Sequence, residues 1–485
     1  MSLSKSRFIA GLQCHRRLWW EVHEPDAAEL VPDPVSAFRT EQGQRIGELA
    51  RGRFPGGRLI ELPRAESRAR IAATRAALDA GVPAIFEATF GADDVVVRVD
   101  VLQQSRDRFA LIEVKSSTRV KDEHLPDVAV QLHVLRRSGL DVTRADVMHV
   151  NRECRHPSLD DLFARADVTV EAEDLQPVVL DEIAAQLAML EGPLPSVPIG
   201  AHCTSPRKCP FINRCWKEVP AHHVTTLFGF GKRAWQLARQ GLETIHDLPA
   251  GLKLSPVAAR QRLAVQQARL VVEPELAAVL DHFQAPLAFL DFETIAPAAP
   301  AFPGCHPYDP VPVQFSLHVA TGDGAFAHHE WLATAGTDPR PELAARLVAA
   351  CSGTGSILAY NAPFEKRCLR HLAEAVPALA GALGEIEARA VDLLPVVRRH
   401  VYHPFFHGSF SLKTVLPALV PAVGYGELAI ADGDIASVWL YRLLLQEHTI
   451  PENERGQLRK DLLAYCRTDT WALVKLLERL RDLSA

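Results

Sequence analysis

VVVRVDVLQQSRDRFALIEVKSS, residues 95–117, carries two apolar runs with alternating polar positions about a polar turn at QSRDR. Alternation with a period of two marks a half-buried strand, so the stretch predicts an antiparallel hairpin. In its second strand Leu111, Glu113 and Lys115 share one face, and Ile112 and Val114 point to the opposite layer. Asp100 lies in the second half of the first strand, where a hairpin brings it beside Glu113. Such a group is either a surface ion pair or a seat for a hard divalent cation, Mg2+ or Mn2+, which takes oxygen ligands and leaves room for water and phosphate. Lys115 would then orient or help deprotonate a water and offset developing negative charge. Glu87, in IFEATF, is a further acid nearby or an ordinary strand-surface charge.

Working outward, 485 residues call for more than one domain. Strand-like runs at 84–90, 95–102 and 109–115 make residues 1–220 a mixed α/β unit, residues 221–283 read as a helical connector without a clear strand, and 284–485 form a second α/β unit with strands first and helices after. No repeat period and no low-complexity tract appear. The N-terminus lacks the apolar core of a signal peptide, and no apolar run approaches a membrane span, so a chain with no membrane partner is expected. Nine cysteines, an odd number, do not suggest a disulfide framework and fit a reducing cytoplasm. A net charge of -6 leaves a nucleic-acid partner open, since a local basic groove can hide in an acidic chain.

HCTSPRKCPFINRCW spaces Cys203, Cys209 and Cys215 by five residues on each side, and Cys14 lies far upstream. Three local thiols and a remote one meet the count for an iron-sulfur cluster. Zinc is the rival metal, although its structural sites usually use tighter C-x2-4-C turns. Ordinary buried cysteines are the plain alternative.

In LAFLDFETI, Asp291 and Glu293 share a strand face. AYNAPFEKRCLRHL reads as a strand, Asn361 as a helix N-cap, and a helix with Glu365 in its first turn. In YCRTDTWALVKLL, Tyr465 and Asp469 lie four apart on one helix face. The acids Asp291, Glu293, Glu365 and Asp469 can thus converge on two divalent ions, which stabilise attacking and leaving oxygens in phosphodiester hydrolysis. Asp392 is an accessory acid or an N-cap, and Lys413 touches a phosphate or is simply solvated. In the connector, LARQGLETIHDLP offers Gly241 as the turn of half a helix-hairpin-helix, or is a plain spacer.

Taken together, D-x12-E-x-K, Gln131 on the following helix and the bracketing cysteines resemble the RecB-like branch of the PD-(D/E)XK nucleases that carry a 4Fe-4S cluster, over residues 4–217. The resemblance implies a restriction-endonuclease-like α/β core with cluster-bearing helices, Asp100 and Glu113 as metal ligands, Lys115 as catalytic lysine, Gln131 as the helix glutamine, and a cluster on Cys14, Cys203, Cys209 and Cys215. Leu135 stands where Q-x3-Y has tyrosine, and Glu48 where many relatives have a metal-binding histidine. The series D-x-E, N-x2-F-E and Y-x3-D resembles the DEDDy exonucleases of the DnaQ-like, RNase H-fold superfamily over residues 284–485, with Glu365 in place of the common aspartate. It implies metal ligation by the four acids and a nucleophilic water oriented by Tyr465. The expected protein is a two-domain α/β metal-dependent nuclease, acting as a 3'–5' exonuclease on single-stranded DNA in repair or defence. The alternatives are an exoribonuclease and a nucleic-acid-binding protein whose N-terminal nuclease fold is inactive.

Overall fold

In the computed structural model, which describes residues 2–106, 108–424, 426 and 428–485, the stretch 95–117 lies at the middle of a seven-stranded sheet. Its strands are β1 (Leu3–Ser4), β2 (Arg58–Leu59), β3 (Ala84–Ala92), β4 (Val95–Ser105), β5 (Arg108–Lys115), β6 (Val142–Val150) and β7 (Phe163–Asp167). They run in the order β2-β3-β4-β5-β6-β7, with β1 parallel on β4. β4 and β5 are antiparallel, whereas β5 and β6 are parallel and joined through the helix Leu125–Arg137. A parallel pair needs such a crossover, and this one lays a buried helix across the face that carries Leu111 and Glu113. Leu111, Val97, Val99, Leu132 and Leu135 share one apolar cluster; Ile112, Val101 and Met148 share another on the opposite face.

The alternation predicted for these strands breaks at one place. Ile85 and Ala88, three residues apart, pack into the same cluster, as do Val99 and Leu102 opposite them. Between the first pair Glu87 takes a left-handed backbone, φ 56°. A non-glycine residue pays for that conformation, so something must hold it. The buried Arg70 does: its Nη2 donates to Glu87 O at 3.0 Å and its Nε to Thr89 Oγ1 at 3.1 Å. The reversal falls opposite Asp100.

The second sheet contains β9 (Ala288–Ile295), β10 (Val311–Ala320), β11 (Phe326–Leu332), β12 (Ile357–Ala359) and β13 (Ala390–Asp392), in the order β11-β10-β9-β12-β13. The β9-β10-β11 meander is antiparallel; β12 lies parallel to β9 and β13 parallel to β12. The helix Glu452–Ser484 packs along β9 and β10. Its Leu462 and Thr470, eight residues apart, meet the strand positions Gln314, Ser316 and His318: Gln314 Nε2 donates to Leu462 O at 2.8 Å, and Thr470 Oγ1 lies 2.7 Å from Ser316 Oγ and 2.8 Å from His318 Nδ1. Four helical residues rise about 6 Å and two strand residues about 6.6 Å, so the two spacings nearly coincide and fix the helix in register.

Contacts divide the chain into two compact units, Met1–Lys217 with Pro297–Tyr308, and Glu218–Ala296 with Asp309–Ala485. Two boundaries differ from the sequence reading. Residues 221–283 belong to the second unit and contain a strand, β8 (Val271–Val272), paired with β14 (Val401–Tyr402). Two residues are too few to show a period, which is why the stretch reads as purely helical. Residues 297–308 join the first unit, where His156 N donates to Cys305 O at 3.0 Å. Among the described residues no helix is long and apolar enough to cross a membrane.

Candidate metal centres

Asp291 and Glu293 occupy β9 opposite Ser316 and Gln314, and the register slips next to Glu293, between Pro312 and Gln314. Because β12 runs parallel to β9, the chain leaving β12 turns beside these acids. Asn361 makes that turn at φ 73°; the N-cap position falls to Ala362, because Pro363 opens the helix Pro363–Ala375. The expected Asn361 cap is therefore displaced by one residue, while Glu365 is in the first turn as read. Asp392 Oδ1 accepts from Leu394 N and Asn361 N, each at 2.9 Å, so the cap is the role its geometry supports.

Asp291, Glu293, Glu365 and Asp469 act on one another electrostatically. Burial, then Asp469, then Glu293 and Glu365, push the Asp291 carboxyl well above the usual range. Burial and Asp469 do the same to Glu293, against the opposing charge of Lys413. Glu365, 3% exposed, is pushed up to about 8 by burial, and among the described residues its Oε2 has no hydrogen-bond partner. Lys413 Nζ sits 5.3 Å from the centre of the Tyr465 ring and 3.8 Å from Asp432 Oδ2, so it is held at the site and not freely solvated. Among the described residues, Asp291, Glu293 and Cys466 form the group whose donor atoms all lie within 4.8 Å of one another. Sequence reasoning passed over Cys466, although it follows Tyr465 directly.

In the first unit the β4–β5 ladder stops at Val101 and Ile112. One step further Asp100 Oδ2 takes the Val114 N–H at 2.8 Å. Glu113, 2% exposed, is already surrounded. Lys5 Nζ donates to its two oxygens at 2.9 and 3.1 Å, Lys115 Nζ to Oε1 at 2.7 Å, and Gln131 Nε2 to Oε2 at 2.8 Å. Asp127 completes the network, accepting from Lys115 and standing 3.4 Å from Lys5. Burial alone would raise Glu113, but Lys115 and Lys5 outweigh it and hold the carboxylate below its ordinary range. Burial and the Glu113 charge push Asp100 up to about 7. Glu48 is exposed on a cleft of about 530 Å3 that also takes in Asp100, Glu113, Lys115 and Glu87. Glu87 is 4.0 Å from Arg51 and 3.9 Å from Arg98. Leu135 is fully buried in the core.

Lys5 and Asp127 were not found from sequence. Asp127 stands four residues before Gln131 on the same helix face, a signal the sequence does hold. Lys5 opens the helix Lys5–Gln13, capped by Ser4, and local sequence says nothing of its reach to β5.

Cys14 lies in an extended conformation at the joint between the helices Lys5–Gln13 and His15–His23. It lines one small cavity with Cys203, Cys209 and Cys215, beside Trp20 and Ile212. All four are free thiols. Burial pushes Cys209 up to about 11 and raises Cys215, with Cys14 and Cys203 adding to both. Among the described residues, no three of these sulfurs lie within 4.8 Å of one another. A tetrahedral zinc with bonds near 2.3 Å would bring its sulfurs to about 3.8 Å.

Gly241 is left-handed, φ 84°, after the helix Lys232–Arg239. Its N–H donates to Ala238 O at 3.0 Å and that of Leu242 to Leu237 O at 3.2 Å. These amides close the helix end, so the phosphate contact expected of Gly241 lacks its donor.

Residues 288–411 match a family described as a domain of unknown function, DUF2779. The match takes in Asp291, Glu293 and Glu365 and ends before Tyr465 and Asp469. No curated protein matches the chain. A solved structure titled "Crystal structure of SSO0001" is similar at 14% identity and a TM-score of 0.26, over 44% of this chain and 85% of that one.

Proposed function

We propose that the chain is a metal-dependent nuclease whose working site is the acid cluster of the second unit, trimming single-stranded DNA from its 3' end. One observation carries the reading: four acids from a strand and two helices are held against one another's charge, and Glu365 keeps a buried oxygen without a partner among the described residues. Such a cluster is costly unless cations occupy it. Divalent ions on Asp291, Glu293, Glu365 and Asp469 would supply charge stabilisation of the attacking and leaving oxygens. Tyr465, 4% exposed, orients the attacking water, and Lys413 offers a cation to the phosphate. The mixed sheet order and the helix laid across it agree with an RNase H-like fold, and the hairpin carrying Asp100, Glu113 and Lys115 with a PD-(D/E)XK-like core.

A second reading, that the first unit grips nucleic acid without cutting it, is favoured by the donors that already fill Glu113. Arg51, Arg64 and Arg98 line the same cleft and suit phosphate contacts. The test is cleavage of end-labelled single-stranded DNA and RNA with Mg2+ or Mn2+ by wild type, Lys115→Ala and Asp291→Ala. Loss in Asp291→Ala alone is expected. Loss in Lys115→Ala alone would move the activity to the first unit, RNA as the better substrate would select the exoribonuclease, and an inert wild type would refute the nuclease.

The four thiols gathered on one cavity, without the tight C-x2-4-C turn usual for structural zinc, support a 4Fe-4S cluster. Protein purified without air is expected to hold about four iron and four sulfide per chain, falling by at least half in Cys209→Ala. Stoichiometric zinc in place of iron would reverse the assignment.

A further inference from the structure

We propose that Cys466 makes the acid cluster of the second unit a mixed oxygen–sulfur site, at which a thiophilic divalent ion, Zn2+, outcompetes Mg2+ and holds the site inactive. The inference rests on the reading of this cluster as a divalent-metal centre and adds to it a soft ligand.

The two other cysteines of this unit have a plain reason to be buried. Cys351 and Cys368 sit in an apolar cluster with Leu343, Leu347 and Leu372. Cys466 is equally buried, at 0% exposure, but its thiol donates to an acid: Sγ lies 3.5 Å from Asp291 Oδ2 and 3.8 Å from Asp291 O. A small apolar side chain would fill that space without placing a polarisable sulfur against a carboxylate. That separation serves an S–H···O hydrogen bond in the metal-free site and suits a shared ion equally well. Ligands bound at about 2.0 Å through oxygen and 2.3 Å through sulfur, set at a tetrahedral angle, stand about 3.5 Å apart. Glu293 brings a third donor atom within 4.8 Å of both.

A separate observation points to the same place. Glu365, 3% exposed, interacts with Asp291 and Glu293, yet among the described residues its Oε2 has no partner. A buried carboxylate oxygen without a donor is a vacant ligand position in chemical terms. The site thus offers oxygen atoms to a hard ion and, through one sulfur, a preference to a soft one. Magnesium gains little from a thiol, whereas zinc binds thiolate strongly, so ligand softness separates the two where charge alone does not.

Binding breaks the S–H bond of Cys466; the electron pair stays on sulfur as the metal–thiolate bond and the proton passes to solvent. No electron is transferred. With sulfur and two carboxylates holding one ion, the acids are no longer free to gather the pair of hard ions that hydrolysis requires.

The test is direct metal binding by the full chain with its four-cysteine site filled, using ZnCl2 in competition with a chromogenic chelator and MnCl2 followed by electron paramagnetic resonance. Wild type is compared with Cys466→Ser and Cys466→Ala, which leave Cys14, Cys203, Cys209 and Cys215 unchanged. Zinc affinity is expected to fall about 100-fold or more in both variants, with manganese affinity within about threefold of wild type. Zinc inhibition of cleavage should weaken in parallel. Equal zinc affinity in wild type and both variants, with manganese still bound, overturns the role of Cys466 alone. If wild type binds neither ion at this site, the metal-centre reading falls with it. Thermal melts of both variants establish that they fold; should serine disrupt the site, alanine gives the same comparison.

Discussion

Asp291→Asn is expected to abolish cleavage and, in metal-free protein, to raise the melting temperature. The two effects share a cause. Asp291 is held against Asp469, Glu293 and Glu365, so its charge is useful only when cations offset it. Removing a ligand to catalytic metal costs several kcal/mol of transition-state stabilisation, about 10^3-fold in rate or more. Replacing the same group in the metal-free site removes the cost of burying an acid against Asp469 and Glu293, so the melting temperature rises. The sign with pH follows from the direction of the shift. An acid raised in the folded state is ionised first in the unfolded chain, so wild-type stability falls as pH climbs above the ordinary value of 3.8, and continues to fall until the folded group ionises. Asparagine does not titrate. The gap between variant and wild type should therefore open from about pH 4 upward and close when Mn2+ is added to wild type. A variant that melts lower than wild type at pH 8 without metal would contradict this account of the site.

Glu113→Ala is expected to act on stability in the opposite direction. Here the carboxylate is 2% exposed and satisfied by Lys5, Lys115 and Gln131, so its loss leaves two partly buried ammonium groups to share Asp127. Breaking a buried pair by removing one partner costs about 3–5 kcal/mol. Urea unfolding of the first unit should shift to a lower midpoint with an unchanged slope. Glu113 is held below its ordinary value of 4.5, so the stabilisation is present above that pH and is lost as pH falls through the lower folded value. The cost of the variant should accordingly vanish in strong acid. A loss of less than about 0.5 kcal/mol at neutral pH would mean that the network is solvated and contributes no more than a surface pair.

The contrast between these two variants separates sites that look alike in sequence. Each is a carboxylate pair in a sheet, Asp100 and Glu113 on the paired strands β4 and β5, Asp291 and Glu293 on β9. In one, lysines and a glutamine fill the carboxylate; in the other, acids face acids. The cation that decides the first case, Lys5, is 108 residues from Glu113 in the chain. No local pattern announces it.

What the sequence determined by itself is the part written in short periods: the alternation of 95–117 and 287–295, and the four-residue spacing of Tyr465 and Asp469. Side-chain direction in a strand or helix repeats every two or four residues, so faces can be assigned without knowing what lies opposite. Even there the rule failed at Glu87, where Arg70 holds a left-handed backbone and the alternation of faces along β3 shifts. Tertiary structure alone decided which side chains meet. It placed Lys5 and Asp127 on Glu113, set Cys466 against Asp291, returned the Gly241 amide to its own helix, and moved residues 297–308 into the first unit. These outcomes depend on contacts between segments far apart in sequence, where burial and charge are properties of the partner and not of the residue.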